Sequence, residues 1–168
     1  MNNMADKRLA AVCGLYCRAC TLYIGTSEEP ERLKKIGERL GLPVDEVMCH
    51  GCRAEQRSFY CRTCRIEACA VGKGLEFCGG CGEYPCELLK AFQAERPHRA
   101  ELWQDQERIR EIGWEKWLAE KAGHYACPTC ETINSSYDTA CRRCGHTPSS
   151  RFGEVHREEI SRFWAGQK

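Results

Sequence analysis

The segment Cys127-Pro128-Thr129-Cys130, then ten residues, then Cys141-Arg142-Arg143-Cys144-Gly145-His146 decides how this chain is read. Each Cys-x-x-Cys turn aims two thiols and its own backbone amides at one point. Two such turns facing each other complete a tetrahedron of sulfur around one ion. A metal-bound thiol is deprotonated, so the ion contributes the folding energy that so small a unit lacks. The spacing predicts a short β zinc ribbon with Cys127, Cys130, Cys141 and Cys144 as ligands and zinc as the cofactor. His146 stands just past the last cysteine. With four thiols in place, it reads as a surface residue or a support for a ligand.

Working outward, cysteine is the outlier of the whole composition: 15 of 168 residues. Density this high marks either a disulfide scaffold or a metal protein. The cysteines come in tight pairs two residues apart, which suits one tetrahedral ion better than the constrained geometry of a disulfide. Met1 to Arg8 is polar, and no run approaches the ~18 apolar residues of a membrane span. The expectation is a soluble, cytoplasmic protein whose thiols stay reduced. Charge is balanced, with 25 Lys and Arg against 24 Asp and Glu, which gives no broad field for nucleic acid or membrane.

Eleven cysteines fall between residues 13 and 86, none between 87 and 126, and four between 127 and 144. This shift in density sets the expected organisation. A cysteine-rich metal-binding domain spans 10–95, a helical connector 96–122, the ribbon 123–150 and a C-terminal helix 151–168. The fold class expected is mostly α with irregular metal-knuckle loops, plus the short β ribbon.

The eleven N-terminal thiols do not divide by four. Spacing alone places Cys49, Cys52, Cys61 and Cys64 in one site and Cys69, Cys78, Cys81 and Cys86 in a second. Cys13, Cys17 and Cys20 remain as a triplet with an open coordination position, which His50 or a cysteine from elsewhere could close. Cross-brace pairing would reshuffle these sets. Zinc is the expected metal here too, with iron–sulfur as the alternative, because thiolates accept either. The triplet spacing is similar to that of radical S-adenosylmethionine enzymes, but the 148 residues after Cys20 leave no room for their barrel. Cys78-Gly-Gly-Cys81-Gly-Glu-Tyr-Pro-Cys86-Glu-Leu-Leu resembles the short iron–sulfur module of corrinoid and electron-transfer proteins. Their fourth cysteine lies well downstream; none stands near Leu102 and Trp103 here, and Cys69 is the substitute.

Between the cysteines the pattern is helical. Thr26 and Glu29 sit at capping-box spacing before Pro30, Leu33, Ile36 and Leu40 share a face, and Gly41 is a stop. Further helices are expected after Pro43, near Ile66–Val71, from Pro85 with Leu88, Leu89 and Phe92 inward, and over 99–122 around Gly113. Leu102, Ile109, Ile112, Trp117 and Leu118 are the expected buried set, with Trp103 and Trp114 as packing residues too. A last amphipathic helix at 154–165 brings Val155, Ile160, Phe163 and Trp164, with Phe152, onto the rest.

The ordered blocks Cys13-Gly-Leu-Tyr-Cys17-Arg-Ala-Cys20-Thr-Leu-Tyr23, Cys49-His-Gly-Cys52-Arg53, Cys64-Arg-Ile-Glu-Ala-Cys69-Ala, and Lys73-Gly-Leu-Glu-Phe-Cys78 through Cys86-Glu-Leu-Leu carry a resemblance over about residues 10–95. They resemble an uncharacterised cysteine-rich family of bacterial and archaeal proteins, a domain of unknown function expected to bind metal. The resemblance implies a soluble cytoplasmic metal protein of prokaryotic origin and implies no reaction.

Function is therefore read as metal binding, with a binding or regulatory module built on structural zinc. A protein partner fits better than nucleic acid. Arg142 and Arg143 could touch phosphate from within the last knuckle, but the neutral balance favours two solvated side chains. The alternative is a metal-handling or iron–sulfur redox protein using the open triplet. An enzyme is the least favoured class: no Ser–His–Asp set, phosphate loop or dinucleotide fingerprint is legible.

Overall fold

A computed structural model describes residues 5–166. The architecture is mostly helical: α1 (Thr21–Ser27), α2 (Pro30–Leu40), α3 (Val44–Val47), α4 (Phe59–Arg62), α5 (Arg65–Gly72), α6 (Glu87–Ala94), α7 (Leu102–Ile112), α8 (Trp114–Tyr125), α9 (Arg151–Val155) and α10 (Arg157–Ala165). Irregular loops carrying cysteine join them. Gln167 and Lys168, the end of the expected C-terminal helix, lie outside the described residues.

Local chemistry accounts for the boundaries. Pro30 opens α2, where its fixed φ is already helical and its missing N–H costs nothing. Gly41 closes α2 in the left-handed region at φ +66°, and the Leu42 amide returns to the Gly37 carbonyl at 2.9 Å. Gly113 separates α7 from α8 at φ +83°. The expected capping box does not form. Thr26 lies inside α1, where its hydroxyl donates to the Leu22 carbonyl and accepts the Cys49 amide at 2.9 Å. The chain breaks instead at Glu28 and Glu29, and Glu29 is the residue that precedes α2.

No sheet forms among the described residues. The expected β ribbon is reduced to one isolated antiparallel bridge between Ala126 and Ile133. The reason is local competition for backbone groups. Asn134 donates to the Thr132 and Ser149 carbonyls, and Asp138 accepts the Ser135 amide. The backbone pairs Cys127–Thr132 and Asn134–Tyr125 still form, and beyond them the Ser149 carbonyl and the Ser135 amide are bonded by side chains.

One apolar core joins the first and last parts of the chain. Ala10, Tyr16, Ala19 and Phe77 pack with Ile109, Trp117, Tyr125, Phe152 and Ile160. Tyr16 stacks on Tyr125 at 5.7 Å between ring centres, and Tyr125 stacks on Phe152 at 4.9 Å. Burying a side chain of this size contributes about 1.5–3 kcal/mol each, so the aromatic column is a substantial anchor for the Cys13–Cys20 loop. Leu102, Ile109, Trp117 and Leu118 are buried as expected. The final amphipathic segment is split in two at His156, and its expected docking is partial: Phe152 and Ile160 are buried, while Val155 and Trp164 are 53% and 40% exposed. His156, at the break, pairs with Glu101.

A buried polar cluster lies beside this core. Trp117 Nε1 donates to Asp105 at 2.9 Å, and Lys121 Nζ reaches Asp105 at 2.9 Å and Glu101 at 2.7 Å. Both His124 Nε2 and His156 Nε2 meet Glu101 Oε1 at 2.9 Å. Burial alone would raise the Glu101 carboxyl, but the His124 hydrogen bond, the Lys121 charge and His156 outweigh it and hold it below the usual carboxylate range.

Gln106 is the fastener between α7 and the cysteine loops. Its side chain is 0% exposed. Nε2 donates to the Val12 carbonyl at 2.9 Å, and Oε1 accepts the Gly79 amide at 2.8 Å. Val12 also accepts the Cys78 amide at 2.8 Å, so the Cys13 and Cys78 loops meet at one carbonyl. The glycines beside those cysteines make room for the amide. A Cβ on Gly14 would stand 3.1 Å from Gln106 Nε2, and one on Gly79 would stand 2.8 Å from Oε1. Gln106→Leu keeps the volume but leaves the Gly79 amide unpaired, while the Val12 carbonyl keeps the Cys78 amide. It should cost about 1–3 kcal/mol in chemical denaturation, well above the effect of an exposed substitution such as Glu107→Gln.

Candidate metal centre

Cys127 and Cys130 follow the end of α8, and Cys141 and Cys144 precede α9. The two loops are built alike. The Cys127 amide donates to the Thr132 carbonyl at 2.9 Å, and the Cys141 amide to the His146 carbonyl at 2.7 Å. Glu131 returns its amide to Cys127 and Gly145 returns its amide to Cys141, each at 2.9 Å. Each return bond requires the residue after the second cysteine to adopt a left-handed backbone. Gly145 does so at φ +76° and Glu131 at φ +59°.

This repeated turn brings the four sulfurs of Cys127, Cys130, Cys141 and Cys144 within 4.8 Å of one another. Cys127 Sγ lies 3.6 Å from Cys144 Sγ, and Cys130 Sγ lies 3.6 Å from Cys141 Sγ. A tetrahedral ion with metal–sulfur bonds of about 2.3 Å places its sulfurs about 3.8 Å apart, so the donor set fits one ion. Without a cation, two thiolates at this range repel by about 4–5 kcal/mol at an effective dielectric near 20. Burial pushes the Cys141 thiol up, but the Cys144 and Arg143 amides and the Cys130 and Cys127 thiols outweigh it and hold it at about 6. Cys127 and Cys141 are buried, Cys130 is half-buried and Cys144 is exposed. His146 is exposed, and it contributes its carbonyl rather than its ring.

Arg142 is not the solvated side chain expected of it, nor is it free to meet phosphate. Its side chain is 10% exposed, donates to Glu29 at 2.8 Å and to the Ile133 carbonyl at 2.8 Å, and pairs with Glu28. Arg32 adds a second tie, reaching Asp138 at 3.1 Å. These pairs clamp the four-thiol unit against the start of α2. Arg143 is exposed.

The N-terminal thiols are arranged differently. Cys13 is buried among Val12, Ile66, Leu89 and Leu102, and Cys17, Cys52, Cys64, Cys78 and Cys86 pack against that cluster. Cys52 and Cys64 thus sit with two members of the Cys13–Cys17–Cys20 triplet. Cys49 faces Cys61: a hydrogen bond from the Cys61 thiol, against burial, brings the Cys49 thiol below its usual range. Cys20 is close enough to both to act on them electrostatically. Cys69, Cys78, Cys81 and Cys86 line one cavity, together with Leu75 and Leu89. His50 is exposed. Among the described residues, the C-terminal four are the one set of three or more His, Cys, Asp or Glu whose ligand atoms all lie within 4.8 Å.

Sequence reasoning missed Gln106, whose neighbours in the chain give no sign of its partners 94 and 27 residues away. It also missed Glu101, through which His124 and His156 meet. The glycines beside Cys13 and Cys78 were the one available signal, since each leaves space for something to approach closely.

The fold and the thiols define a cysteine-rich, mostly helical protein with a four-cysteine group that could hold a metal ion. Residues 9–91 match the model of a family described as Protein of unknown function (DUF3795), which overlaps most of the 10–95 segment. The matched segment ends within α6, so Gln106 and the four-thiol group lie outside it. No curated protein and no solved structure matches the chain. No helix among the described residues is long and apolar enough to cross a membrane.

The repeated turn yields a direct test. Glu131→Gly relieves a left-handed backbone carrying a Cβ and should stabilise the protein by about 1 kcal/mol. Gly145→Ala should destabilise by a similar amount through the backbone alone, because a Cβ there meets no atom within 4 Å. Denaturant midpoints of the metal-loaded variants measure both.

Proposed function

We propose that this protein is a zinc-dependent binding or regulatory module, with Cys127, Cys130, Cys141 and Cys144 holding a structural zinc ion. The single observation behind this reading is the pair of 3.6 Å sulfur–sulfur distances within a closed four-thiol group. All-sulfur tetrahedral coordination suits zinc. With four protein ligands the ion keeps no open position for a substrate, so it supplies rigidity rather than chemistry. In this reading the expected ribbon survives as its two turns, without the β ladder.

The cysteine-rich domain over 10–95 binds further metal through the remaining eleven thiols, and the unit over 123–150 is an appended module clamped to it by Arg142 and Arg32. Burial of Cys13, at 6% exposed, favours a structural role for the Cys13–Cys17–Cys20 segment over an exchangeable metal with an open position. A reducing compartment, the cytoplasm, suits thiols kept for metal. A protein partner suits the balanced charge, and Arg142 is engaged internally.

Elemental analysis of protein purified under reducing, oxygen-free conditions tests the reading. Cys141→Ser should release one zinc per chain. Stripping zinc from the wild type with a strong chelator should abolish the cooperative melting transition of the C-terminal part, since zinc binding of this kind carries about 10–16 kcal/mol in small units. Unchanged circular dichroism and melting after complete removal of zinc would overturn it.

A further inference from the structure

The structure holds two kinds of four-cysteine arrangement, and the difference between them is informative. At the C-terminal turns the sulfurs converge within 4.8 Å, as one ion demands. Cys69, Cys78, Cys81 and Cys86 instead surround a shared cavity without converging. No three of them come within 4.8 Å of one another, since the C-terminal group is the one such set among the described residues. Thiols disposed in this way do not converge on one point as a single ion with sulfur bonds of about 2.3 Å requires. A polynuclear group fills such a void, because its several metal atoms each take one thiolate while bridging sulfide occupies the space between.

The surroundings agree with a charged inorganic group in an apolar pocket. Leu75 and Leu89 wall the cavity, and Leu89 is 1% exposed. Lys73 Nζ lies 3.7 Å from Cys81 Sγ and also pairs with Glu83. An ammonium beside one thiolate offsets part of the excess negative charge of a four-thiolate cluster. The scaffold is held from three directions. Cys69 comes from α5, at an exposed position beside the buried Ala70. Cys78 is tied to Val12, and Gly79 is tied to Gln106. Cys86 immediately precedes α6.

We infer that Cys69, Cys78, Cys81 and Cys86 bind an iron–sulfur cluster, so that one chain carries two metal centres of different chemistry. This inference rests on the metal-binding reading above and deepens it by naming the group at the second site. Cluster and zinc ion are then independent: one lies under α5 and α6, the other between α8 and α9.

The test is metal and inorganic-sulfide analysis, with visible absorption, on the full chain purified without oxygen from cells supplied with iron. The wild type should contain iron and inorganic sulfide in equal amounts, show the broad brown absorption of iron–sulfur charge transfer, and contain zinc as well. Cys81→Ser, at a half-buried thiol, should lose nearly all iron, sulfide and colour while keeping the zinc bound by Cys127, Cys130, Cys141 and Cys144. Cys141→Ser should show the converse. Retained zinc together with an unchanged circular-dichroism spectrum in the Cys81 variant reports that the chain still folds; Cys69→Ser, at an exposed thiol, is the second variant if it does not. Wild-type protein that holds zinc but neither iron nor sulfide would overturn the cluster and leave the zinc reading standing. Iron and colour that persist in both Cys81→Ser and Cys69→Ser would also overturn it. Absence of zinc together with absence of iron would reject the metal-binding reading itself.

Discussion

Four sulfur atoms within 4.8 Å of one another cannot all carry charge unless a cation sits among them. That electrostatic constraint governs the C-terminal part of this protein. The segment from Ala126 to Ser150 has one isolated bridge, short turns and many side-chain bonds to backbone, and little apolar surface of its own to bury. Two identical turns direct the thiols inward. Arg142 pairs with Glu28 and Glu29, and Asp138 with Arg32, so the same unit is fastened to the start of α2.

The N-terminal cysteines live under a different regime. They lie against an apolar cluster, they are joined to α7 through Gln106, and their loop is pinned to α8 by the Tyr16–Tyr125–Phe152 column. Metal is therefore not the sole source of order, because a continuous core runs from Ala10 to Ile160. Apolar packing carries this half, and thiol geometry decides what it can hold. Converging thiols suit a single ion, whereas thiols arranged around a void suit a larger group.

Much of this was legible in the chain itself. Pro30 and Gly41 mark the ends of α2, and Gly113 divides α7 from α8, because each of these residues restricts or frees φ in a way that does not depend on distant neighbours. Cys127, Cys130, Cys141 and Cys144 were legible for a similar reason: two residues between ligands is a local geometric requirement of one ion. Other features were not. The Thr26–Glu29 box failed because Thr26 is held in α1 and bonds the Cys49 amide. The β ladder stops at the Ala126–Ile133 bridge, beyond which the Asn134 and Asp138 side chains bond the backbone.

The sequence by itself determined the helical segments, the four C-terminal thiols and the abundance of metal-ready sulfur, all of which follow from interactions between residues a few positions apart. Only the tertiary structure decided which of the eleven N-terminal thiols face one another, that Arg142 serves an internal ion pair, and that Gln106 and Glu101 are junctions. Those outcomes depend on contacts across tens of residues. A side-chain amide or carboxylate reaches across such a span only after the core has brought its partners within about 3 Å, and that distance is invisible to any local pattern.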